Sequence, residues 1–122
     1  MLKLLHVEDD ADIREIAKMA LDMSGEFVVT QCANGEDALE RIKTYTPDVI
    51  LIDMMMPGMS GSQTLERIRE NSVLAQTPVI FMTARAEHSE VEKLRSIGAA
   101  EVISKPFDPM ALADQIKAAI KR

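Results

Sequence analysis

Several features that mark other classes of protein are scarce or missing in this sequence. Trp is absent and aromatic residues make up only 3% of the chain, which leaves no platform for stacking nucleic-acid bases. Lys and Arg form no cluster and the net charge is -6, although neutralising phosphates requires a basic face. We therefore expect no direct contact with nucleic acid.

The chain also lacks long apolar runs, internal repeats and linkers. Its apolar stretches fall far short of a membrane span, which predicts no membrane insertion, and the acidic residues after "MLKLLHV" exclude a signal peptide. A single cysteine, Cys32, cannot form an internal disulfide, as is typical of a reducing cytosol. We therefore predict a cytoplasmic protein. Because 122 residues suit one folded unit, we also predict a single domain at residues 1–122.

Short apolar segments alternate five times with segments of helical periodicity. The apolar segments are near-continuous, which is typical of strands covered on both faces of a sheet. Strict alternation predicts an α/β fold, a (βα)5 doubly wound parallel sheet of five strands with helices on both faces. The predicted strands are Lys3–Glu8, Phe27–Cys32, Asp48–Asp53, Pro78–Thr83 and Glu101–Ser104.

Residues that start and end helices stand between these strands. Asn34 and Gly35 are expected to open the second helix, and Gly98 to follow the end of the fourth. Asp108 before Pro109 predicts the N-cap of the last helix, with proline at its first position.

Polar and charged residues stand where the predicted strands end. Ligands of open parallel sheets bind beyond the carboxyl ends of the strands. In the flavodoxin-like strand order 2-1-3-4-5, the first and third strands are neighbours, so three carboxylates, a hydroxyl and an ammonium group would share one concavity. These side chains belong to Glu8, Asp9, Asp53, Thr83 and Lys105.

The predicted carboxylate cluster needs a cation, because crowded carboxylates repel one another. Oxygen donors suit a hard divalent ion such as Mg²⁺. The loop after the first strand reads "EDDAD", not the glycine-rich sequence whose N–H groups cradle phosphate, so phosphate would need a metal ion there. With the ion bound, Asp53 would be a nucleophile toward a phosphoryl group, and Lys105 and Thr83 would contact the phosphoryl oxygens.

Four segments of the sequence resemble the receiver domain of response regulators in two-component signalling, chemotaxis regulators among them. They are "LLHVEDD", "DVILIDMMMPGMSG", "PVIFMTA" and "KPF", in that order at the strand ends. The set is specific, and the resemblance covers essentially the whole chain. It implies the strand order 2-1-3-4-5 and a domain that accepts a phosphoryl group and switches its protein contacts. Such a domain is not an enzyme beyond its own phosphorylation and slow dephosphorylation.

The resemblance implies a role for each residue of the metal site. Asp53 is the expected phosphoacceptor and, with Asp9, a direct ligand of Mg²⁺, for which Mn²⁺ could substitute. Glu8 would hold metal-bound water. Met55 would contribute only its backbone carbonyl.

The resemblance also implies how the phosphoryl group is held and read. Thr83, Lys105 and the backbone N–H of Ala84 would contact it, and the Lys105–Pro106 bond would be cis. Receivers often couple phosphorylation to an aromatic side chain on the fifth strand, but this chain has Val102 there. The usual movement of an aromatic ring therefore cannot apply unchanged.

Two further positions bear on the lifetime of the phosphorylated form. Met55 stands two residues beyond Asp53, and Arg85 stands two residues beyond Thr83. In receivers, the residues at these two positions flank the path of hydrolytic water. A bulky apolar chain and a long cation there predict a long-lived phosphorylated form.

The resemblance implies two protein contacts. A sensor histidine kinase or a histidine phosphotransfer domain would dock on the first helix, "DIREIAKMALDM". A downstream target would bind the face of the fourth helix, fifth strand and fifth helix. The sequence suits both a stand-alone receiver and a receiver cut from a longer protein.

Other interpretations of the same residues fit less well. A Mg²⁺-dependent phosphohydrolase of the haloacid-dehalogenase type also uses a strand-end aspartate, but it needs a second aspartate where this chain has Met55. A flavin binder needs a phosphate-binding loop and flanking aromatics. Asp10 is expected to cap the first helix, and His6 to be a hydrogen-bonded core residue.

Overall fold

A computed structural model describes residues 1–121; Arg122, the last residue of the predicted domain, lies outside the described residues. Strands and helices alternate along the chain, as the sequence predicts. The strands are β1 (Leu2–Val7), β2 (Phe27–Cys32), β3 (Val49–Asp53), β4 (Val79–Thr83) and β5 (Glu101–Ser104). The helices are α1 (Ala11–Ser24), α2 (Gly35–Arg41), α3 (Gly61–Arg69), α4 (His88–Ser96) and α5 (Leu112–Ile120), with a short 3₁₀ turn at Ser72–Leu74.

The strands form one parallel sheet in the order β2-β1-β3-β4-β5, which confirms the predicted flavodoxin-like fold. The bounds of β2 and β5 agree with the predicted ones. Strands β3 and β4 each begin one residue later than predicted. Strand β1 is shifted by one residue at both ends, so that it stops at Val7 and leaves Glu8 in the following turn. The fold places β1 beside β3, so their carboxyl ends lie side by side.

Helix ends follow the expected residues in two of three cases. Asn34 caps α2 by accepting a hydrogen bond from the Asp37 N–H, and Gly98 follows α4 with a φ of 108°. The predicted N-cap at Asp108 is wrong, because α5 begins at Leu112. Asp108 instead accepts hydrogen bonds from the backbone N–H groups of Met110 and Ala111, which closes a turn ahead of the helix.

The core lies on both faces of the sheet, because successive side chains of a strand point to opposite sides. On β3, Ile50 and Ile52 join the cluster under α2 and α3, while Val49 and Leu51 join the cluster under α1 and α5. Every residue of β3 is buried, including Asp53. A charged group therefore ends a strand that is otherwise apolar.

The packing is looser along α4 and β5. Helix α4 buries Leu94, whereas Arg95 and Ile97 beside it are exposed. On β5, Ile103 is buried and Val102 is half-buried against the α2–α3 side of the core. Across residues 1–121, none of the helices combines the length and apolar character that crossing a membrane requires.

Candidate functional site

Strand pairing brings the predicted site residues to one edge of the sheet. Asp53 is the last residue of β3 and pairs with Met82 on β4. Thr83, the last residue of β4, pairs with Ser104, and its carbonyl accepts a hydrogen bond from the Lys105 N–H at 2.8 Å. The side chains at or just beyond the ends of β1, β3 and β5 can therefore converge.

Three carboxylates converge at this edge. One carboxylate oxygen each of Glu8, Asp9 and Asp53 lies within 4.8 Å of the others. Glu8 is 0% exposed and Asp53 is 4% exposed, whereas Asp9 is open to solvent. An oxygen-only donor set with one solvent-facing member fits Mg²⁺, which keeps several of its waters when carboxylates bind it.

Lys105 lies between two of these carboxylates. Its Nζ is 2.8 Å from Glu8 Oε1 and 3.1 Å from Asp53 Oδ1. Burial alone would lower the pKa of Lys105, but the hydrogen bonds to Glu8 and Asp53 outweigh it and raise the pKa. Lys105 is therefore a cation held between two carboxylates at this edge of the sheet.

Glu8 is the most enclosed carboxyl group of the site. Burial raises its pKa to about 7; the hydrogen bond from Lys105 opposes that shift, and the neighbouring Asp53 adds to it. The Asp10 N–H donates to Glu8 Oε2 at 3.2 Å. Asp10 also caps α1 through the N–H groups of Asp12 and Ile13, so its predicted structural role is confirmed.

The backbone around Asp53 is fixed by the start of α3. The Gly61 N–H donates to the Met54 carbonyl at 3.0 Å. A Cβ on Gly61 would lie 2.6 Å from the Asp53 carbonyl oxygen, so only glycine allows this approach. The Met55 N–H donates to Asp53 Oδ1 at 3.3 Å, and the Met55 side chain is 69% exposed.

The remaining predicted residues lie at the same edge. Thr83 Oγ1 accepts a hydrogen bond from the Arg85 N–H at 3.0 Å, and Ala84 between them is exposed. The Lys105–Pro106 peptide bond is cis, as the resemblance implied. The structure thus brings Glu8, Asp9, Asp53 and Lys105 into one cluster, with Thr83 held in the adjoining turn.

The sequence did not single out two polar residues beside the site. Arg14 Nη1 donates to the Glu8 carbonyl at 2.7 Å and to the Asp9 carbonyl at 3.2 Å. Gln31 Nε2 donates to the Arg14 carbonyl at 2.7 Å and pairs with His6 Nδ1 at 3.2 Å. The sequence contained a signal for Arg14, because a cation in the first turn of a helix is disfavoured by the helix dipole. Such a residue is expected to have a stabilising contact elsewhere.

Comparison with known proteins identifies the same family. Residues 4–117 match the family profile described as the response regulator receiver domain. The transcriptional regulatory protein CseB of Streptomyces coelicolor is 39% identical over 119 residues, which cover 98% of this chain and 49% of that protein. The phosphate regulon regulator PhoB of Escherichia coli is 35% identical over 98% of this chain and 52% of its own length. The chain spans about half the length of these curated relatives.

Solved structures agree with this match over nearly the whole chain. Chemotaxis response regulator CheY4 of Vibrio cholerae superposes with a TM-score of 0.91 at 28% identity, covering 98% of each chain. A response regulator from Chloroflexus aurantiacus gives a TM-score of 0.90 at 30% identity, covering 99% of this chain and 98% of that one.

Proposed function

The chain belongs to the family of response regulator receiver domains, and on this premise we propose that residues 1–122 form one receiver that accepts a phosphoryl group on Asp53 with Mg²⁺. The observation that carries the proposal is the shared contact of Lys105 with Glu8 and Asp53 at the carboxyl edge of the sheet. Carboxylates this close together repel one another unless a cation binds among them. Asp9, the exposed member of the cluster, is open to a metal ion from solvent.

In this proposal, Asp9, Asp53 and the Met55 carbonyl hold the metal ion, and Glu8 holds one of its waters. Mg²⁺, or Mn²⁺ in its place, supplies positive charge to the phosphoryl oxygens when it is bound. The three direct ligands are hard oxygen donors, which both ions prefer.

Asp53 is the nucleophile of the transfer. A bond forms between its carboxylate oxygen and phosphorus while the phosphorus–nitrogen bond of a phosphohistidine donor breaks, and the leaving imidazole takes a proton from solvent. The Lys105 ammonium and the Met55 N–H both contact Oδ1 of Asp53. Lys105, the Thr83 hydroxyl and the Ala84 N–H then bind the transferred oxygens, as positioned donors do in phosphoryl transfer.

A receiver is a signalling domain, so its phosphorylated form acts by changing the surfaces that bind other proteins. We expect the donor to be a sensor histidine kinase or a histidine phosphotransfer domain that docks on α1. In support, Ile16, Met19 and Met23 of α1 are exposed. They line an apolar groove of about 380 Å³ that continues to Pro109 and Met110, and flexible methionine side chains suit adaptable contacts.

The output surface in this proposal is the face of α4, β5 and α5. Because Val102 is half-buried where many receivers carry an aromatic ring, we expect the change to pass through the packing of α4 on β5. The net charge of -6 favours protein targets over nucleic acid for this domain. We expect the domain to act in the cytoplasm, where its kinase partner would phosphorylate it. The long lifetime of the phosphorylated form, based on Met55 and Arg85, stays a prediction; both side chains are exposed beside the site.

The test is the intact mass of the protein after incubation with acetyl phosphate and Mg²⁺. We expect a single adduct of about 80 Da that is absent with EDTA and absent in Asp53→Asn. An adduct that persists in Asp53→Asn would place the acceptor elsewhere. Continuous release of phosphate from unrelated phosphoesters would instead indicate a phosphohydrolase. If acetyl phosphate fails while calorimetry shows Mg²⁺ binding, a phosphorylated histidine phosphotransfer domain replaces it as donor.

A further inference from the structure

Arg14 occupies an unusual place on α1. It is the fourth residue of a helix that begins at Ala11, where the positive end of the helix dipole disfavours a cation. Its side chain is half-buried, and Nη1 donates to the carbonyls of both Glu8 and Asp9, at 2.7 Å and 3.2 Å. The guanidinium is thus held against the turn that carries two of the three carboxylates.

That turn has little support from the sheet. Strand β1 ends at Val7, and the Glu8 N–H still donates to the Cys32 carbonyl of β2 at 3.0 Å. Asp9 lies one residue further on, beyond the strand, and its side chain is exposed. The hydrogen bond from Arg14 reaches the backbone of this residue, where the sheet no longer fixes it.

Arg14 is itself tied to the sheet through Gln31 on β2. The Gln31 amide donates to the Arg14 carbonyl at 2.7 Å and pairs with His6 Nδ1 at 3.2 Å. His6 lies directly opposite Gln31 in the β1–β2 register and is 0% exposed. The first turn of α1 is therefore anchored to β1 and β2 close to the carboxylates.

We propose that Arg14 is a positioning residue that holds the Glu8–Asp9 turn in its metal-binding shape and thereby sets the affinity of the site for Mg²⁺. This inference rests on the proposed function. Preorganised groups around metal ligands typically change metal affinity when they are removed. The sign of the effect is diagnostic, because loss of a nearby positive charge would by itself strengthen Mg²⁺ binding, whereas a loosened turn weakens it.

The experiment is calorimetric titration of the metal-free protein with Mg²⁺. We expect Arg14→Met to weaken Mg²⁺ binding by about 10-fold, and Arg14→Lys, which keeps the charge and one donor group, to weaken it less. The matched control is Lys18→Met, which removes a cation one turn further along α1 whose contact is an exposed pair with Asp22. We expect that control to bind Mg²⁺ as the wild type does. At saturating Mg²⁺, phosphorylation of Arg14→Met should return to within about threefold of the wild-type rate.

The possible results separate this inference from the proposed function. Mg²⁺ affinity that is unchanged or tighter in Arg14→Met overturns the role of Arg14 and leaves the proposed function intact. Wild-type protein that neither binds Mg²⁺ nor takes up phosphate overturns both. If Arg14→Met does not fold, Arg14→Lys and Gln31→Leu decide: weaker Mg²⁺ binding in either one supports the inference, and wild-type affinity in both overturns it.

Discussion

The β3 side of the sheet and its α4–β5 side differ in how firmly they are packed. Strand β3 is buried along its whole length, and Asp53 at its end contacts Lys105 and the Met55 N–H. On the other side, β5 buries Ile103 and α4 buries Leu94, while most of the other residues of α4 face solvent. A site on rigid strands keeps its geometry during the chemistry, and loosely packed elements are those that can change. Under the proposed function, we expect the chemistry to use the firmly packed part of the sheet and the response to use α4 and β5.

The largest expected effect is a loss of stability on the rigid side. Leu51→Ala removes a fully buried side chain from β3 and should lower the free energy of unfolding by about 2–5 kcal/mol. Ile97→Ala, at the end of α4 where the side chain is 41% exposed, should lower it by less than about 1 kcal/mol. Urea denaturation of the two variants measures both values. Equal losses would contradict the contrast between the two regions.

A second effect, of intermediate size, is a dependence of stability on pH through His6 on β1. Burial, aided by Lys105 and Arg14, lowers the pKa of His6 to about 4, so the unfolded chain takes up a proton before the folded one as the pH falls. This contribution to stability is complete above the unfolded pKa and is lost as the pH falls from about 6.5 toward 4. Between pH 7 and pH 5 it amounts to about 2 kcal/mol.

The measurement is urea denaturation at pH 7 and at pH 5 for wild type and His6→Leu. The difference between the two pH values should shrink by that amount in His6→Leu. His88→Leu, on exposed α4, is the matched control and should behave as wild type does. An unchanged pH dependence in His6→Leu would show that His6 does not enter the fold as a buried neutral group.

The smallest effect is expected on the loose side. Arg95 on α4 pairs with Glu101 on β5 at 2.6 Å, and both side chains are partly exposed. Arg95→Met should change the free energy of unfolding by about 0–1 kcal/mol, as is usual for ion pairs near solvent. Thermal denaturation with and without added salt checks this. A loss as large as that of Leu51→Ala would mean that this pair holds α4 rigidly, against the proposed division of roles.

The sequence predicted the strands and strand ends, which follow from the order of apolar and polar residues. It did not predict individual hydrogen bonds, which depend on where side chains lie once the elements pack. Apolar runs predicted every strand to within one residue at each end, and strand-end positions predicted the meeting of Asp9 and Asp53. The turn at Asp108 was not predicted, because an Asp–Pro pair caps a turn as readily as a helix. The anchoring of the acidic turn by Arg14 was also missed, because it is visible only when α1 is packed on the sheet.

Hydrogen–deuterium exchange with and without acetyl phosphate, in the presence of Mg²⁺, is the most direct test of the central claim that a rigid site alters a loose surface. Phosphorylated protein should exchange as before at Val49–Asp53 and differently across residues 88–104. Asp53→Asn, treated identically, should show neither the adduct nor the change. Identical exchange across residues 88–104 in protein that carries the adduct on Asp53 would contradict this claim.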